Sequence, residues 1–482
     1  MGPIPGSLPG GAHYPRPVVP ERLRPLIDET AWLAERFAAA GHRLYLVGGV
    51  VRDAVLNRLG PDADVDLTTD ARPARIKELV RPGADALWDQ GERFGTIGVQ
   101  RSGRRYEITT HRAEAYVPES RKPEVEFADA VEADLSRRDF TVNAMALRLP
   151  DLELVDPFGG IGDLAAGRLR TPLAPEESFT DDPLRMLRAA RFVAGYGLTP
   201  DADVVAAVEK LRDRLEIVSA ERIRDELDRL VTVERPTAGL RLLVTTGLAD
   251  HFLPELSAMA LEQDPVHRHK DVLEHTFAVV EKVDPAHRIV RLAALFHDVG
   301  KPRTRAFGPG GVSFHHHEVV GARMTRERMR ALRYPNDDVA AVTRLVELHL
   351  RFHGYREGDG GWTDAAVRRY VRDAGPLLDE LNELTRCDCT TRNEAKARSL
   401  ARRMDELQAR IARLRQEEEL ARLRPDVDGR RVMEHLGIRP GPAVGRALEH
   451  LLELRIEEGP LGEEEALRRL DAWWAAEQGR SV

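Results

Sequence analysis

A Gly-Gly pair between a predicted strand and a predicted helix marks the first candidate site. The run LYLVGGVVRD (44–53) predicts a strand that ends before Gly48-Gly49 and a helix that carries Arg52. Glycines at such a junction let backbone N–H groups approach phosphate oxygens, and an arginine adds a planar fork for phosphate. Because Gly-Gly alone usually marks an ordinary turn, Gly49 and Arg52 become nucleotide-binding candidates only together with the acids that follow.

Two of those acids, Asp64 and Asp66, flank Val65 in the next predicted strand. Side chains alternate along a strand, so both carboxylates lie on one face with Cα atoms about 6.6 Å apart. Hard carboxylates on a rigid strand suit Mg²⁺, and two such ions can activate a hydroxyl and stabilise a leaving pyrophosphate. The alternative is a solvent-facing edge strand with incidental acids. Glu107 in RRYEITTHR is the candidate third acid.

Arginines recur at helical spacing further along the chain. Arg137 and Arg138 precede an apolar segment, where they either clamp a triphosphate or lie at the surface. A second run, TDDPLRMLRAARF, repeats a charged side chain every three residues, so that neighbours touch along a helix. Its members are Asp182, Arg185, Arg188 and Arg191. The alternative is an exposed arginine row with Asp182 as the helix N-cap before Pro183.

Asp182 and Arg185 have complementary hydrogen-bonding character. An ionised Asp182 only accepts hydrogen bonds, and Arg185 only donates them. Cytosine and adenine each present an amine beside an unprotonated ring nitrogen, whereas uracil and guanine present a carbonyl oxygen and a ring N–H. One helical turn holds the two side chains adjacent, which predicts a surface that pairs with C and A and repels U and G.

A histidine-rich region downstream carries a second candidate site. Its runs are HRHKDVLEHTFAVV, RLAALFHDVGKP, SFHHHEVVGA and LTRCDCTTRN, and its candidate ligands are His275, His297, Asp298 and Asp388. Two imidazoles and two carboxylates on converging helices predict a divalent or transition-metal site that activates water. The run 315–317 either adds ligands or forms a loop of solvated histidines.

The elements that must position these residues form an α/β head and a long helical body, an α+β fold. From 21 to 150 the hydrophobic pattern mixes helices and strands, and beyond about 150 nearly every segment has helical periodicity. The expected divisions are a flexible tail at 1–20, a head at 21–150, a helical segment at 151–260, a helical domain with the histidines at 261–400, and a helical tail at 401–482.

Composition limits the class of protein. The 482 residues carry a net charge of −8, which argues against unspecific coating of nucleic acid, so a polyanion must meet a local arginine-lined surface. No apolar run approaches the roughly 18 residues of a membrane span, and the Pro- and Gly-rich first twenty residues have no apolar core. Two cysteines form no disulfide framework, so we expect a cytoplasmic protein.

Taken together, the motifs resemble the CCA-adding tRNA nucleotidyltransferases of the bacterial–eukaryotic class, in the polymerase-β-like superfamily, with a C-terminal HD phosphohydrolase-type domain. The motifs GGVVRD, DVD, RRDFTVNAMA, DDPLRMLRAARF and ERIRDEL occur in that order within about residues 40–250. Asp181-Asp182 replaces the usual Glu-Asp and keeps the charge. The resemblance implies that Gly49 and Arg52 hold the triphosphate, that Asp64 and Asp66 hold Mg²⁺, and that Arg138, Asp182, Arg185, Arg188 and Arg191 contact the incoming nucleotide.

The resemblance also implies an activity. It is the template-independent addition of CMP, CMP and AMP, from CTP and ATP, to the 3′ end of tRNA, with two-metal transfer and release of pyrophosphate. The resemblance further implies that 151–260 is a helical neck and body for nucleotide selection and RNA binding, with the tRNA along the helical part. A second divalent or transition metal would sit in the HD-type domain. One alternative is a poly(A) polymerase, although the chain lacks the Gly-Arg-Arg-Phe-Arg-like run of those enzymes. The other is an HD-type phosphohydrolase as the main activity, against which the Asp64/Asp66 pair speaks.

Overall fold

A computed structural model of the chain describes residues 23–60, 65–115, 124–261, 271–308, 311–355, 362–390, 393–422, 425–458 and 461–479. The expected tail at 1–20 and the candidate ligand Asp64 lie outside the described residues. Among the described residues, no helix is both long and apolar enough to cross a membrane.

A seven-stranded mixed sheet organises the N-terminal part, in the order β3-β4-β5-β2-β1-β8-β9. The β2–β5 pair is parallel, and the other neighbours in this sheet are antiparallel. The strands are β1 Leu44–Val47, β2 Val65–Thr69, β3 Ala86–Trp88, β4 Thr96–Arg101, β5 Arg104–Thr110, β6 Arg112–Ala115, β7 Glu124–Phe127, β8 Ala146–Leu149, β9 Leu154–Val155, β10 Arg168–Leu169, β11 Thr199–Pro200, β12 Ala306–Gly308 and β13 Gly311–Ser313.

Helices dominate from residue 150 onward, as expected for the α+β fold. The helices are α1 Arg24–Ala39, α2 Gly49–Val55, α3 Pro73–Val80, α4 Val131–Ser136, α5 Gly160–Ala166, α6 Pro175–Asp181, α7 Leu184–Tyr196, α8 Ala202–Leu211, α9 Ala220–Val231, α10 Thr237–Thr245, α11 Pro254–Ala258, α12 Val272–Lys282, α13 Arg288–Phe296, α14 Lys301–Thr304, α15 His317–Ala331, α16 Asn336–Leu348, α17 Asp364–Ala374, α18 Leu378–Asp388, α19 Glu394–Arg422, α20 Gly429–Leu436, α21 Pro442–Glu458 and α22 Glu463–Gly479.

Alternating burial fixes which face of the sheet carries the polar residues. In β2, Val65 and Leu67 are buried in the head core, against apolar residues of α1, α2 and α3. Asp66 stands between them on the opposite face and is only half-buried. A shift of register by one residue would exchange the two faces, so the apolar core holds this carboxylate in place.

The chain divides into two compact units. The first comprises Met1–His349 with Glu383–Thr390, and the second comprises Leu350–Asn382 with Thr391–Val482. Within the second unit, α20, α21 and α22 share a small apolar core. The described residues of both candidate sites lie in the first unit.

A fully buried arginine joins three helical segments of the first unit. Arg291, on α13, has no exposed surface, and its Nε donates to the Val283 carbonyl at 2.9 Å. Its Nη1 donates to the carbonyls of Val231 and Val233 at 2.7 and 2.6 Å. These carbonyls lie at or just beyond the C-termini of α12 and α9, where helices leave acceptors unpaired. Burial lowers the pKa of Arg291 from its usual value.

We expect Arg291→Met to destabilise the protein by about 3 kcal/mol, because it leaves buried carbonyls without donors. Urea unfolding followed by far-UV circular dichroism measures the effect as a lower midpoint. Arg330→Met, on an exposed position of α15, is the matched control and should leave the midpoint unchanged. Equal midpoints for the two variants would contradict a bracing role for Arg291.

Candidate active site and candidate metal centre

The Gly48-Gly49 junction brings backbone and guanidinium unusually close together. Gly48 adopts φ 74° and ψ −131°, a conformation open essentially to glycine alone. A Cβ on Gly48 would lie 2.6 Å from Nη1 of Arg138. The strand end therefore needs glycine for its backbone angle and for the side chain that lies over it.

Two carboxylates face the same cavity from neighbouring strands. Asp66 on β2 and Glu107 on β5 are direct register partners in the parallel pair. Both line a cavity of about 530 Å³ that also contains Gly48 and Gly49. Paired carboxylate oxygens on adjacent strands are the hard donors that Mg²⁺ prefers, so these residues fit a magnesium ion.

Arginines form much of the remaining wall of this cavity. Those that the sequence singled out and the structure brings together here are Arg52, Arg137, Arg138, Arg185, Arg188 and Arg191. Asp182 joins them, and so do Arg112, Arg222 and Arg229, which sequence reasoning missed. A chain of net charge −8 thus concentrates positive charge at one place.

The exposed alternative for the α7 row does not hold. Arg185 is 9% exposed, and the side chains of Arg188 and Arg191 are 28% and 17% exposed. Asp182 does cap α7, because its Oδ1 accepts the Leu184 N–H at 3.2 Å. The capping and cavity-lining roles therefore coexist in one carboxylate.

Two buried carboxylates hold the arginine row in place. Asp139 accepts from Nε and Nη2 of Arg188 at 2.8 and 2.5 Å, and from the Asn143 amide at 2.9 Å. Burial raises the pKa of Asp139, but the Arg188 charge and these hydrogen bonds outweigh it and bring the pKa to about 2. Glu226 on α9 is 4% exposed and accepts from Nε of Arg191 at 2.7 Å.

Arg52 lies at the cavity wall with its guanidinium engaged by the protein. Nε and Nη2 both donate to Asp53 at 2.8 Å, and Nη1 donates to Asn143 at 2.5 Å. The guanidinium also lies over the Tyr196 ring, 4.2 Å from its centre. Its contact with a triphosphate stays a prediction, whereas its role in joining α2 to α7 is visible.

The second cluster gathers side chains from the ends of several helices. It contains the predicted His275, His297, Asp298 and Asp388. It also contains His317 and His349, which form a second group with the shared Asp298. Within each group, the possible ligand atoms lie within 4.8 Å of one another. His315 and His316 are exposed, so only the last residue of the 315–317 run joins the cluster.

Short distances connect the predicted ligands. Nε2 of His275 lies 2.9 Å from Oδ1 of Asp388, and Nε2 of His297 lies 3.2 Å from Oδ2 of Asp298. The two imidazole Nε2 atoms are 3.3 Å apart. Nζ of Lys301 donates to Oδ2 of Asp298 at 2.6 Å.

The imidazoles are oriented for ligation through Nε2. Nδ1 of His297, His317 and His349 lies 2.7–2.8 Å from a backbone carbonyl three residues earlier, an acceptor that requires Nδ1–H. A proton on Nδ1 leaves the Nε2 lone pair of a neutral imidazole available to a metal. Within the described residues Nε2 of His349 is buried without a hydrogen-bond partner, and Nε2 of His317 lies 3.4 Å from Oδ1 of Asp298. Burial lowers the pKa of His349 to about 3, which keeps it neutral. This donor set fits a metal ion that accepts imidazole nitrogen.

Sequence spacing gave little notice of several of these residues. His349 follows an apolar helix, as His297 does. It lacks the following aspartate that identified His297 as a candidate ligand. Arg222, Glu226 and Arg229 lie at helical spacing within and just after ERIRDEL, which indicates one shared face. That pattern does not reveal what the face contacts.

Three family models match the parts of the chain that carry the two candidate sites. A family model described as "Poly A polymerase head domain" matches residues 44–170, one described as "Probable RNA and SrmB- binding site of polymerase A" matches 197–259, and one described as "HD domain" matches 269–413. The first contains the Gly48 junction with Asp66 and Glu107, and the third contains the histidine cluster.

Named relatives point to the same class. An A-adding tRNA nucleotidyltransferase of Deinococcus radiodurans is 37% identical over 359 residues, covering 72% of this chain and 80% of that protein. A CCA-adding enzyme of Latilactobacillus sakei is 39% identical over 242 residues, covering 50% of this chain and 59% of that enzyme. The chain therefore spans under two thirds of the second relative.

A solved structure has the same fold. The Bacillus stearothermophilus CCA-adding enzyme in complex with CTP aligns with TM-score 0.57 and 24% identity, covering 94% of this chain and 99% of that one. The mixed-sheet head, the arginine-lined cavity and the relative from Deinococcus together define a nucleotidyltransferase. The chain belongs to the tRNA nucleotidyltransferase family that contains the A-adding and CCA-adding enzymes.

We expect Gly48→Ala to weaken nucleoside triphosphate binding about tenfold or more, because the added Cβ forces a disfavoured backbone angle and displaces Arg138. Isothermal titration with CTP and with ATP measures the loss. Gly103→Ala is the matched control, since Gly103 also has positive φ, at 80°, but has nothing within 4 Å of the added Cβ. Equal affinities for the two variants would show that the approach of Arg138 to Gly48 is unimportant.

Proposed function

We propose that this protein adds CMP, CMP and AMP, from CTP and ATP, to the 3′ end of tRNA without a nucleic-acid template and releases pyrophosphate. The observation that carries the proposal is one cavity that joins the carboxylates of Asp66 and Glu107 to the arginine wall and to the Asp182/Arg185 pair. The named relatives support tRNA as the acceptor.

The transfer step needs a divalent metal, and we propose Mg²⁺ at Asp66 with Asp64 and Glu107. Asp64 lies outside the described residues, and Glu107 is the register partner of Asp66. When bound, the metal lowers the barrier by neutralising charge on the attacking and leaving oxygens. The carboxylates would hold the metal ion in place, while Arg138 and the other arginines of the cavity would offset the negative charge of the triphosphate.

Base choice follows from the Asp182/Arg185 pair in the cavity wall. Asp182 accepts from the exocyclic amine of cytosine or adenine, and Arg185 donates to the adjacent ring nitrogen. UTP and GTP set acceptor against acceptor and donor against donor, and each such mismatch costs about 1–3 kcal/mol. Arg188 and Arg191 complete the nucleotide contacts.

The division of labour along the chain is part of the proposal. The head at 21–150 performs transfer, 151–260 selects the nucleotide and binds RNA, 261–400 forms the HD-type domain and 401–482 the tail. The tRNA lies along the helical part. We also propose that the protein acts in the cytoplasm, where the acceptor tRNA is available.

A narrower activity, addition of A alone, has a specific observation in its favour. The A-adding relative from Deinococcus matches 80% of its length, whereas the CCA-adding relative from Latilactobacillus matches 59%. Incubation with tRNAs that end before CCA, after C and after CC separates the two activities. Full CCA addition extends all three acceptors, and A addition alone extends only the last.

The histidine cluster supports a second candidate activity, a metal-dependent phosphohydrolase. His275, His297, Asp298 and Asp388 would hold a divalent or transition metal, with His317 and His349 as further ligands. Such a metal would activate a water molecule when bound. Lys301 lies beside Asp298 and could offset charge on a phosphate.

We expect Asp66→Asn to reduce nucleotide addition at least about a thousandfold with Mg²⁺ as the only divalent ion, because the metal loses a charged ligand needed in the transition state. Glu107→Gln should reduce it as well, by a smaller factor. Single-turnover extension of a radiolabelled tRNA measures the rates. Glu78→Gln, an exposed acid of the same head, is the control. Retained activity in Asp66→Asn would exclude this metal site.

We expect His297→Ala combined with Asp298→Ala to abolish metal binding at the second site and any phosphatase or phosphodiesterase activity. Nucleotide addition should stay largely unchanged, because the cavity near Asp66 contains neither residue. Metal content by plasma mass spectrometry is the direct measurement, and exposed His316→Ala is the matched control. Loss of nucleotide addition in the folded double variant would show that the two sites depend on each other.

A further inference from the structure

The α9 helix presents one charged face to the nucleotide cavity. Arg222, Glu226 and Arg229 follow at intervals of four and three residues, so they share a side of the helix. Arg222 and Arg229 line the cavity, and Glu226 holds Arg191 at its edge. The face therefore runs alongside the row that starts at Asp182 and continues along α7.

Arg222 holds one side of the Asp182 carboxylate, the proposed acceptor for the amine of the base. Its Nη2 donates to Oδ2 of Asp182 at 2.8 Å, while the Leu184 N–H binds Oδ1 at 3.2 Å. Two contacts on different oxygens fix the plane of the carboxylate, which a single backbone cap would leave free to rotate. A carboxylate accepts about four hydrogen bonds, so capacity for a base amine remains.

Ser178 holds the guanidinium of Arg185, the proposed donor to the base, as Arg222 holds the carboxylate of Asp182. Its Oγ accepts from Nη1 of Arg185 at 2.9 Å, and the Arg137 carbonyl accepts from Nη2 at 2.5 Å. Ser178 is 4% exposed and lies on α6, immediately before the turn to α7. The guanidinium is thereby fixed in a plane by acceptors from two different segments.

We propose that Arg222 and Ser178 are the positioning residues that set base selectivity, Arg222 through Asp182 and Ser178 through Arg185. This proposal rests on the nucleotidyl transfer proposed above. It adds that residues other than Asp182 and Arg185 determine how strongly C and A are preferred to U and G. A hydrogen-bonding acceptor and donor discriminate between bases only while both point in a fixed direction. Loss of Arg222 or Ser178 should therefore weaken the hydrogen bonds to C and A and reduce the repulsion of U and G.

Glu226 provides an internal contrast on the same helix. It holds Arg191 and lies 3.5 Å from Arg188, so it supports arginines further along α7 than Arg185. Its replacement by glutamine should weaken the use of all four nucleotides by a similar factor. Arg222→Ala should instead change the ratio between them.

The experiment measures kcat/KM for CTP, ATP, UTP and GTP, each supplied singly to tRNA acceptors of defined end. We expect Arg222→Ala to narrow the preference for C and A over U and G about tenfold, the factor that corresponds to 1.4 kcal/mol. Arg222→Lys, which keeps a charged donor, should recover part of it. Arg224→Ala, two residues away and paired with Asp225, is the matched control and should keep the full preference.

A double-mutant cycle separates positioning from general damage. If Arg222 acts through Asp182, adding Arg222→Ala to Asp182→Ala should change the preference no further. Ser178→Ala should likewise have no added effect in Arg185→Ala. Additive losses in both cycles, or an unchanged preference in Arg222→Ala and Ser178→Ala, would overturn the inference.

The same data distinguish failure of the inference from failure of the proposed function. A wild-type protein that extends no acceptor with any nucleotide would refute the transfer activity itself. A wild-type protein that adds nucleotides selectively, with variants that merely unfold at lower temperature and keep the preference, would refute only the positioning role.

Discussion

Pairing of buried carboxylates with arginines is the interaction on which the nucleotide cavity depends. Guanidinium groups crowded into one cavity repel one another, and an unpaired charge is costly to bury. Asp139 and Glu226 solve both problems because each is buried and accepts hydrogen bonds from arginines of α7. The cavity can thus keep many arginines in its lining, in a chain whose net charge is −8.

The α9 helix extends this dependence beyond the cavity. Its Asp228 accepts from Arg288 at 2.8 Å and from the Tyr334 hydroxyl at 2.6 Å, and its C-terminal carbonyls receive Arg291. Arg288 and Arg291 both belong to α13, whose last residue, Phe296, precedes His297. Helix α9 is therefore fixed to the arginines of α7 on one side and, on the other, to α13, the helix that precedes His297 of the histidine cluster.

The sequence predicted best what is local. The strand at Asp66, the cavity-facing row from Asp182 and the His297-Asp298 pair depend on short periodic patterns that the chain displays directly. The pairing of Asp66 with Glu107 required the register of two strands, and His349 required the meeting of helix ends far apart in sequence. Arg222 lies within ERIRDEL, but its partner Asp182 is forty residues away in the sequence. Tertiary packing decides such contacts, and no local propensity encodes them.

The two sites differ in donor chemistry, and that difference bears on how one chain could use both. The head offers carboxylate oxygens, which suit Mg²⁺, whereas the second cluster offers several imidazole nitrogens around one shared aspartate. Affinity of nitrogen-rich sites rises steeply for transition metals, and Mg²⁺ sheds its waters reluctantly. Carboxylate oxygens and imidazole nitrogens thus favour different classes of ion. Helices α9 and α13, which lie between the two sites, therefore join two donor sets that do not favour the same ion.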